Sequence, residues 1–352
     1  MRLLFLYTEL APYFLCCLEN FIKKHDAKVA LVHWKVNREA PFDFSFSGEI
    51  TLFNRNDLNA KQLISVAKNF APDAIYCSGW MDKDYLKVCR YFRKKIPVIT
   101  GLDNQWKGNF AQRFASFISP FIIKKYFSHC WVPGETQKQY ALRLGFSDEK
   151  IFTGFYSADN DFFRNLFLSF REGKKKNFPK RFLFAARYYA FKGITDLWKA
   201  FIRLQTEFPN DWELWCLGRG DVDPIIHHKI KHFGFVQPNE MGKYISETGV
   251  FILPSTFEPW GVAVHEFAAA GFPLVCSDEV GAAELFLKDG KNGFLFKSGN
   301  ISELSNAMKK IISLSDDKLF AMGEVSAELA MQITPDTWAD TLMSILKTSD
   351  KN

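Results

Sequence analysis

The chain has 352 residues, of which 47% are hydrophobic and 24% charged, and its formal net charge is +6. A chain of this length can bury two ordinary hydrophobic cores, so two domains are expected. No segment approaches the roughly 18 uncharged apolar residues that indicate a membrane-spanning helix. The seven cysteines include no C-x-x-C pair, which argues against a disulfide framework and against a zinc site.

The chain begins with an apolar run, residues 3–7, that predicts a buried strand. This run is too short for the apolar core of a secretory signal, and it is followed by Glu9 rather than by a cleavage site. Together with the cysteine pattern, this favours a reducing, cytoplasmic location.

The first half continues with short apolar runs separated by segments long enough for crossover helices. Such alternation predicts a parallel, doubly wound sheet. The predicted strands of this half are residues 3–7, 29–33, 74–77, 98–100 and 130–132.

Positive charge is concentrated in the first half. Residues 1–167 carry 23 Lys/Arg and 16 Asp/Glu, whereas the remainder carries 22 and 23. Residues 90–95 and 117–126 mix cations with large apolar side chains, as surfaces that contact anionic membranes often do. The alternative is two ordinary helices whose lysines lie in water, and both interpretations stay open. No nucleic-acid partner is expected, because no binding motif accompanies the charge.

A polar run at residues 174–180 predicts a connector, after which a second series of strands begins. This second series predicts another Rossmann-like sheet, followed by a last helix over residues 335–347. Its predicted strands are residues 182–185, 214–217, 250–253 and 274–276.

The most informative segment joins the strand at residues 250–253 to a helix that begins at Val262. Glu258 lies on the connecting loop, and Glu266 lies in the helix. The free N–H groups and positive dipole end of such a helix suit a diphosphate, and Gly261 allows close approach to its backbone. Two flanking carboxylates can accept hydrogen bonds from sugar hydroxyls. The segment therefore predicts a sugar-nucleotide site, although glutamates in the first turns of a helix also simply complement its dipole.

Two further motifs precede this segment. Arg187 and Lys192 follow the strand at residues 182–185, and loops at the ends of parallel strands face the ligand crevice of α/β domains. Two cations there can neutralise a leaving diphosphate. Gly218 belongs to a Gly-x-Gly turn after the next strand, a pattern that any tight strand-to-helix turn can also use.

These motifs resemble the large retaining glycosyltransferase family four, whose signature pairs two glutamates as E-x7-E. The resemblance covers residues 181–300 in the expected order, including the closing segments at 277–284 and 290–296. It implies the GT-B fold, in which two Rossmann-like doubly wound domains face each other across a cleft and a C-terminal helix crosses back to the first domain. The expected domains are then residues 1–170 with 335–352, and residues 171–334.

The resemblance also implies a role for each motif residue. Arg187 and Lys192 correspond to the pair that grips the nucleotide diphosphate, Glu258 to the residue that holds the sugar hydroxyls, and Glu266 to the residue that holds the ribose. The other donor contacts that it implies are Gly218, the base-side residues Phe235 and Val236, and the loop-to-helix residues Trp260, Gly261 and Val262.

The first half is less diagnostic, because relatives of this kind bind different acceptors there. Asp103 follows a predicted strand where many relatives carry a histidine near the transferred sugar. It is a candidate for binding a sugar hydroxyl, or it simply begins a turn. Trp80 and Trp106 are candidate platforms for a pyranose ring, or they are core residues. The glycine-rich loop that usually faces the donor phosphates is absent after the first strand.

We therefore expect a retaining glycosyltransferase that uses a nucleotide-diphosphate sugar and needs no metal ion or cofactor. In the expected front-face transfer, the leaving diphosphate helps to deprotonate the acceptor hydroxyl. Arg187, Lys192, the helix N-terminus and Glu258 form the catalytic environment, with Asp103 as a further candidate. The basic first half favours a glycan or lipid-linked acceptor, as in polysaccharide or lipopolysaccharide assembly at the inner face of the membrane.

Two other classes of protein remain open. One is a binding scaffold that keeps the nucleotide-sugar site without turnover. The other is a nicotinamide-dependent oxidoreductase, which the missing Gly-x-Gly-x-x-Gly after the first strand disfavours.

Overall fold

A computed structural model describes residues 1–349, and these form two compact units. Unit 1 comprises residues 1–37, residues 44–157 and the C-terminal segment from Pro335. Unit 2 comprises residues 38–43 and 158–334. Each unit is built around one parallel sheet.

Unit 1 contains a seven-stranded parallel sheet in the order β3-β2-β1-β4-β5-β6-β7. Its strands are β1 (Arg2–Leu6), β2 (Lys28–His33), β3 (Ile50–Asn54), β4 (Ala74–Cys77), β5 (Val98–Gly101), β6 (His129–Trp131) and β7 (Ile151–Phe152). Its helices are α1 (Pro12–His25), α2 (Ala60–Phe70), α3 (Lys83–Phe92), α4 (Phe110–Ile123), α5 (Glu135–Arg143) and the C-terminal helix, α13 (Pro335–Ser349).

Alternate residues of β1 point into two different apolar clusters, as the two-residue period of a strand requires. Leu3 and Phe5 pack in one cluster with side chains of α1 and α13. Leu4 and Leu6 pack in the other cluster with side chains of α2 and α3. Both faces of the sheet are therefore buried, which explains why its central strands are apolar throughout.

Helix α13 belongs to the core of unit 1. Trp338, Leu342 and Ile345 are at most 1% exposed and pack in the cluster that contains α1. Trp338 Nε1 also donates a hydrogen bond to the carbonyl of Phe155 at 2.7 Å. The predicted return of the C-terminal helix to the first half of the chain is thus found, with Leu346 only partly buried at its edge.

Unit 2 contains a six-stranded parallel sheet in the order β10-β9-β8-β11-β12-β13. Its strands are β8 (Arg181–Ala185), β9 (Glu213–Leu217), β10 (Ile230–His232), β11 (Val250–Leu253), β12 (Leu274–Ser277) and β13 (Gly293–Phe296). Its helices are α6 (Asn160–Lys176), α7 (Ile194–Glu207), α8 (Met241–Glu247), α9 (Val262–Ala269), α10 (Ala283–Phe286), α11 (Ile301–Ile312) and α12 (Asp316–Leu329).

Every predicted strand is present with ends within one residue of those predicted. Four strands are additional, and each is short or has few buried residues. Strand β3 has only one buried residue, β7 has two residues, β10 contains one apolar residue, and β13 follows a glycine turn.

The boundary between the units differs from the sequence-based one at residues 170 and 171, which falls inside α6. The polar run at residues 174–180 is not a linker, because α6 continues to Lys176. Lys174 is 5% exposed, and its ammonium group lies 3.9 Å from the ring centre of Phe272. Burial lowers the pKa of Lys174 to about 7. A lysine whose stem packs on an aromatic ring is not recognisable from composition alone.

Candidate functional site

The order in which successive strands are added to the sheet of unit 2 reverses between β8 and β11. Strands β8, β9 and β10 follow one another towards one edge, and β11, β12 and β13 towards the other. In such sheets the loops at the carboxyl ends of the two central strands separate and leave a crevice in which ligands bind. The loop after β8 carries Arg187 and Lys192, and the loop after β11 carries Glu258. The sequence motifs therefore lie on the two loops that flank this switch point.

Lys192 and Glu258 meet across the switch point. The ammonium group of Lys192 donates to Glu258 Oε2, and the side chains are 14% and 10% exposed. Ser255 Oγ donates to the same oxygen at 3.3 Å. Ser255 is a buried residue of the same loop, and its carbonyl accepts a hydrogen bond from the hydroxyl of Ser277. A desolvated ion pair is thus held at the ligand-binding edge of the sheet.

Direct backbone contacts hold the two loops together. Gly193 has φ 70°, and a Cβ at this position would lie 2.1 Å from the carbonyl oxygen of Pro254. The N–H of Thr256 donates to the carbonyl of Phe191 at 2.8 Å. Only glycine allows this approach, so Gly193 fixes the separation of the loops that carry Lys192 and Glu258.

Helix α9 begins at the predicted junction. Gly261, with φ 94°, precedes its first residue, Val262. The first N–H groups of a helix have no acceptor within it, so this end can receive an anion. Trp260 is 2% exposed with its ring packed near Phe286, so only its backbone could contact a ligand. The side chain of Trp260 contributes to the core instead.

Glu266 lies one turn further along α9. Desolvation, with a smaller contribution from the nearby Asp159 carboxylate, raises the pKa of its carboxyl group to about 7. Part of the Glu266 side chain nevertheless remains at the surface. A carboxyl group with this pKa changes charge near neutrality, so its capacity to accept hydrogen bonds depends on pH.

His265 anchors α9 and was not recognised from the sequence. It is fully buried, with Nδ1 3.0 Å from the backbone N–H of Ala158 and Nε2 2.8 Å from the carbonyl of Ala330. Its ring stacks on Phe286 at 4.1 Å. Burial lowers its pKa to about 4, so the neutral ring donates through Nε2 and accepts at Nδ1. His265 therefore acts in positioning the helix rather than in proton transfer.

The loop after β12 supports the Glu258 loop from the other side. The N–H of Gly281 donates to the carbonyl of Glu258 at 3.1 Å, and the N–H of Ala282 donates to the carbonyl of Trp260 at 2.8 Å. These two N–H groups are therefore engaged within the protein. The turn at residues 290–296 is structural, because the buried side chain of Asn292 donates to the carbonyl of Phe286 and to the hydroxyl of Ser326.

Arg187 and Gly218 occupy neighbouring loops on the β8 side. The guanidinium of Arg187 lies 5.4 Å from the ring centre of Tyr189, whose hydroxyl donates to the Glu39 carboxylate. Gly218 packs against the backbone after β8, because a Cβ there would lie 2.0 Å from the carbonyl oxygen of Ala186. The Gly-x-Gly turn thus has a packing role that is independent of any ligand.

Residues 38–43 form part of unit 2, although the sequence placed them in the first domain. Arg219 donates to the carbonyl of Glu39 at 3.3 Å, and the ring of Phe42 packs on Phe235 with centroids 5.2 Å apart. Gln237 donates to the carbonyl of Pro41 at 3.0 Å. Phe235 is therefore covered by this segment, and Val236 beside it is buried.

The remaining candidates lie in unit 1. Asp103, after β5, accepts a hydrogen bond from the hydroxyl of Tyr156 at 3.2 Å. Trp80, after β4, is 37% exposed. Trp106 packs on Tyr140 with centroids 5.5 Å apart and under the guanidinium of Arg143, so it is a packing residue.

The structure thus brings Lys192 and Glu258 into contact and places Arg187, Gly261 and Glu266 on the adjoining loops and helix. Sequence reasoning missed Ser255, Gly193 and His265. A polar residue two positions after an apolar strand was the only available signal for Ser255, whereas the other two depend on contacts between distant segments.

Part of unit 2 is similar to known protein sequences. Residues 179–314 match the sequence family described as glycosyl transferases group 1. The chain is 32% identical over 124 residues to an alpha-monoglucosyldiacylglycerol synthase of Acholeplasma laidlawii, which covers 32% of this chain and 30% of the relative. It is 25% identical over 136 residues to a lipopolysaccharide core biosynthesis glycosyltransferase of Rhizobium meliloti, covering 36% and 38%. The chain thus matches about a third of the length of these curated relatives.

The fold is similar over the whole chain to that of HepE from Anabaena, solved in complex with UDP-glucose. The TM-score is 0.72 at 17% identity, covering 99% of this chain and 100% of that one. This likeness, with two parallel Rossmann-like sheets, confirms the predicted GT-B fold. The region that contains Arg187, Lys192, Glu258 and Glu266 lies within the part of the chain that matches the glycosyl transferases group 1 model, in agreement with the resemblance of its motifs.

Proposed function

We propose that this protein transfers a sugar from a nucleotide-diphosphate sugar to a hydroxyl of a glycan or lipid-linked acceptor, with retention of the anomeric configuration. The observation that carries the proposal is the desolvated pair of Lys192 and Glu258 at the switch point of unit 2. A cation and a carboxylate at that position suit a ligand that combines a diphosphate with hydroxyl groups. UDP-glucose is the first donor to test, because HepE binds it.

In the proposed mechanism, the diphosphate lies at the N-terminus of α9, near Lys192 and Arg187. Glu258 accepts hydrogen bonds from the sugar, and Glu266 accepts them from the ribose. The bond between the anomeric carbon and the diphosphate oxygen breaks, and a bond to the acceptor oxygen forms on the same face. The acceptor proton passes to the leaving diphosphate. The two cations and the helix N-terminus stabilise the negative charge that develops there, so no metal ion or cofactor is invoked.

The acceptor proposal draws on unit 1 and on the relatives. The basic character of the first half favours an acceptor held at an anionic surface, and the two curated relatives are named for a lipid product and for lipopolysaccharide core assembly. We infer polysaccharide or lipopolysaccharide assembly at the inner face of the membrane. Asp103 is proposed to bind a sugar hydroxyl in this process.

The test is turnover of a panel of nucleotide sugars, with and without glycan and lipid-linked acceptors. Glu258→Gln and Lys192→Ala should each lower donor turnover by at least about 100-fold, the effect typical of losing one preorganised transition-state contact. Glu207→Gln is the matched control, because it removes a carboxylate that pairs with Arg203 at the surface of the same unit. A wild type that binds one donor tightly but converts none would instead identify a binding scaffold.

A further inference from the structure

Helix α4 exposes four phenylalanines to solvent. Phe110, Phe114, Phe117 and Phe121 are 86%, 60%, 78% and 73% exposed. At about 100° of rotation per residue, they fall within roughly 60° of one another around the helix axis. These four residues form what we call the phenylalanine stripe. Single exposed apolar side chains are ordinary, but a contiguous row of aromatic rings marks an interaction surface.

The opposite face of α4 fixes the helix in unit 1. The hydroxyl of Ser119 donates to the carbonyl of Leu144 at 2.9 Å, and Ile123 is 8% exposed in the core. Pro120 packs so closely on Gly145 that a Cβ on this glycine would lie 2.7 Å from Pro120 Cβ. The stripe is therefore presented by an anchored helix.

The charge within the segment that contains the stripe has one sign. Residues 104–134 contain four Lys/Arg and no Asp/Glu. Lys124 and Lys125 are exposed at the end of α4. Arg93 Nε donates to the carbonyl of Phe127 at 2.6 Å, which brings the end of α3, with exposed Lys94, next to the end of α4. The apolar stripe is thus bordered by a basic edge.

The length of α4 determines how it could meet a lipid bilayer. Its 14 residues span about 21 Å, which is less than the roughly 30 Å hydrocarbon core of a bilayer. Over residues 1–349, no helix combines the length and apolar character needed to cross a membrane. A short helix with an aromatic face and cations beside it is typical of helices that lie in the headgroup region.

We propose that the phenylalanine stripe and the basic edge of α4 bind the surface of an anionic lipid bilayer. A second copy of this chain is a poorer occupant, because a two-fold symmetric contact would bring the same cations together with no acidic residue of the segment to balance them. A bilayer accepts the aromatic rings between its headgroups and attracts the lysines through its negative surface potential. The benefit of membrane binding rests on the proposed function, since the enzyme would meet a lipid-linked acceptor at that surface.

The experiment is flotation of the whole protein with phosphatidylcholine vesicles, with or without phosphatidylglycerol. The wild type should float with the anionic vesicles and much less with the neutral ones. Phe114→Ser combined with Phe117→Ser should lower the partition coefficient about tenfold or more. Lys124→Gln combined with Lys125→Gln should lower it by roughly tenfold, as should high salt. Ile226→Ser, at a fully exposed apolar position of unit 2, is the control and should bind like the wild type.

Circular dichroism establishes that the variants fold. Absence of wild-type binding to anionic vesicles, or equal binding by the stripe variant, would overturn the proposal. A wild-type dimer that the stripe variant converts to monomers, with no vesicle binding, would assign the stripe to self-association and overturn it too. Hydrolysis of UDP-glucose without vesicles separates the two proposals, because the stripe variant should keep this activity. If the wild type floats with anionic vesicles but converts no donor, membrane binding by the phenylalanine stripe is supported and the proposed function is refuted.

Discussion

At the scale of single residues, the Lys192–Glu258 ion pair is expected to contribute to the free energy of unfolding. Both side chains are largely buried, so removing one leaves the other desolvated without its partner. Lys192→Ala and Glu258→Gln should each lower the free energy of unfolding by about 1–3 kcal/mol. The double variant should lose less than the sum, by about 1 kcal/mol or more. Urea unfolding of the four proteins at neutral pH measures this coupling.

The exposed pair of Lys297 and Asp278 serves as the control for that cycle. Its side chains are 68% and 37% exposed, so solvent screens the interaction and the coupling should stay below about 1 kcal/mol. Additive effects of the Lys192 and Glu258 substitutions would contradict the ion pair seen in the structure.

Glu266 predicts a pH dependence of donor binding. Its carboxyl group has a pKa raised to about 7 by desolvation, yet the proposed ribose contacts need the ionised form as acceptor. Ionisation increases as pH rises, so affinity for UDP-glucose should increase by up to about tenfold from about pH 6 to about pH 8 and then level off. UDP-glucose suits calorimetric titration, because both its phosphates are esterified and neither titrates near neutrality. Glu266→Gln should bind more weakly with a flat profile, and a flat wild-type profile would refute the assignment.

At the scale of elements, Gly193 controls how closely the loops after β8 and β11 approach. Gly193→Ala adds a Cβ that would lie 2.1 Å from the carbonyl oxygen of Pro254, so the loops must move apart. We expect affinity for UDP-glucose to fall at least about tenfold and stability to fall by more than about 1 kcal/mol. Gly299→Ala is the matched control, because it has φ 73° with no atom near its Cβ position. Equal effects of both substitutions would show that backbone strain, rather than loop separation, is responsible.

Elements with a continuous apolar run were predictable from the sequence, and those defined by distant contacts were not. Strand β11 and the start of α9 follow from apolar residues, a Pro/Gly loop and a helical pattern. Strand β10 was missed because it gains its place by pairing with β9 rather than from its own residues. Residues 38–43 were assigned to the first domain instead of unit 2, because the contact of Phe42 with Phe235 leaves no signal in the sequence around residue 42.

The candidate site was likewise only partly predictable from the sequence. The motif residues Arg187, Lys192 and Glu258 could be assigned because their order along the chain resembles a known family. Trp260 was named as a donor contact from that order, yet its side chain lies in the core. Burial depends on the partner, here Phe286, and the sequence does not specify that partner.

At the scale of the whole molecule, the two units have similar sheets, but the loops at their switch points carry different residues. In each unit the first strand lies between the second and the fourth. Only the loops of unit 2 carry the motif residues that are proposed to bind the donor, whereas unit 1 has Trp80 and Asp103 on the corresponding edge. The sheet therefore supplies the position of a site, and its chemistry comes from the loops.

Separate cores predict separate responses to mutation and to ligand. Trp338 is 1% exposed in the core of unit 1, so Trp338→Ala should lower the stability of that unit by about 3–5 kcal/mol. UDP-glucose at 100 times its dissociation constant should stabilise unit 2 by about 2.7 kcal/mol. Scanning calorimetry should then show two transitions, one lowered by the substitution and the other raised by the ligand. Met81→Ala, at a 79% exposed position of unit 1, should change neither transition. One transition that responds to both treatments would mean that the units unfold together.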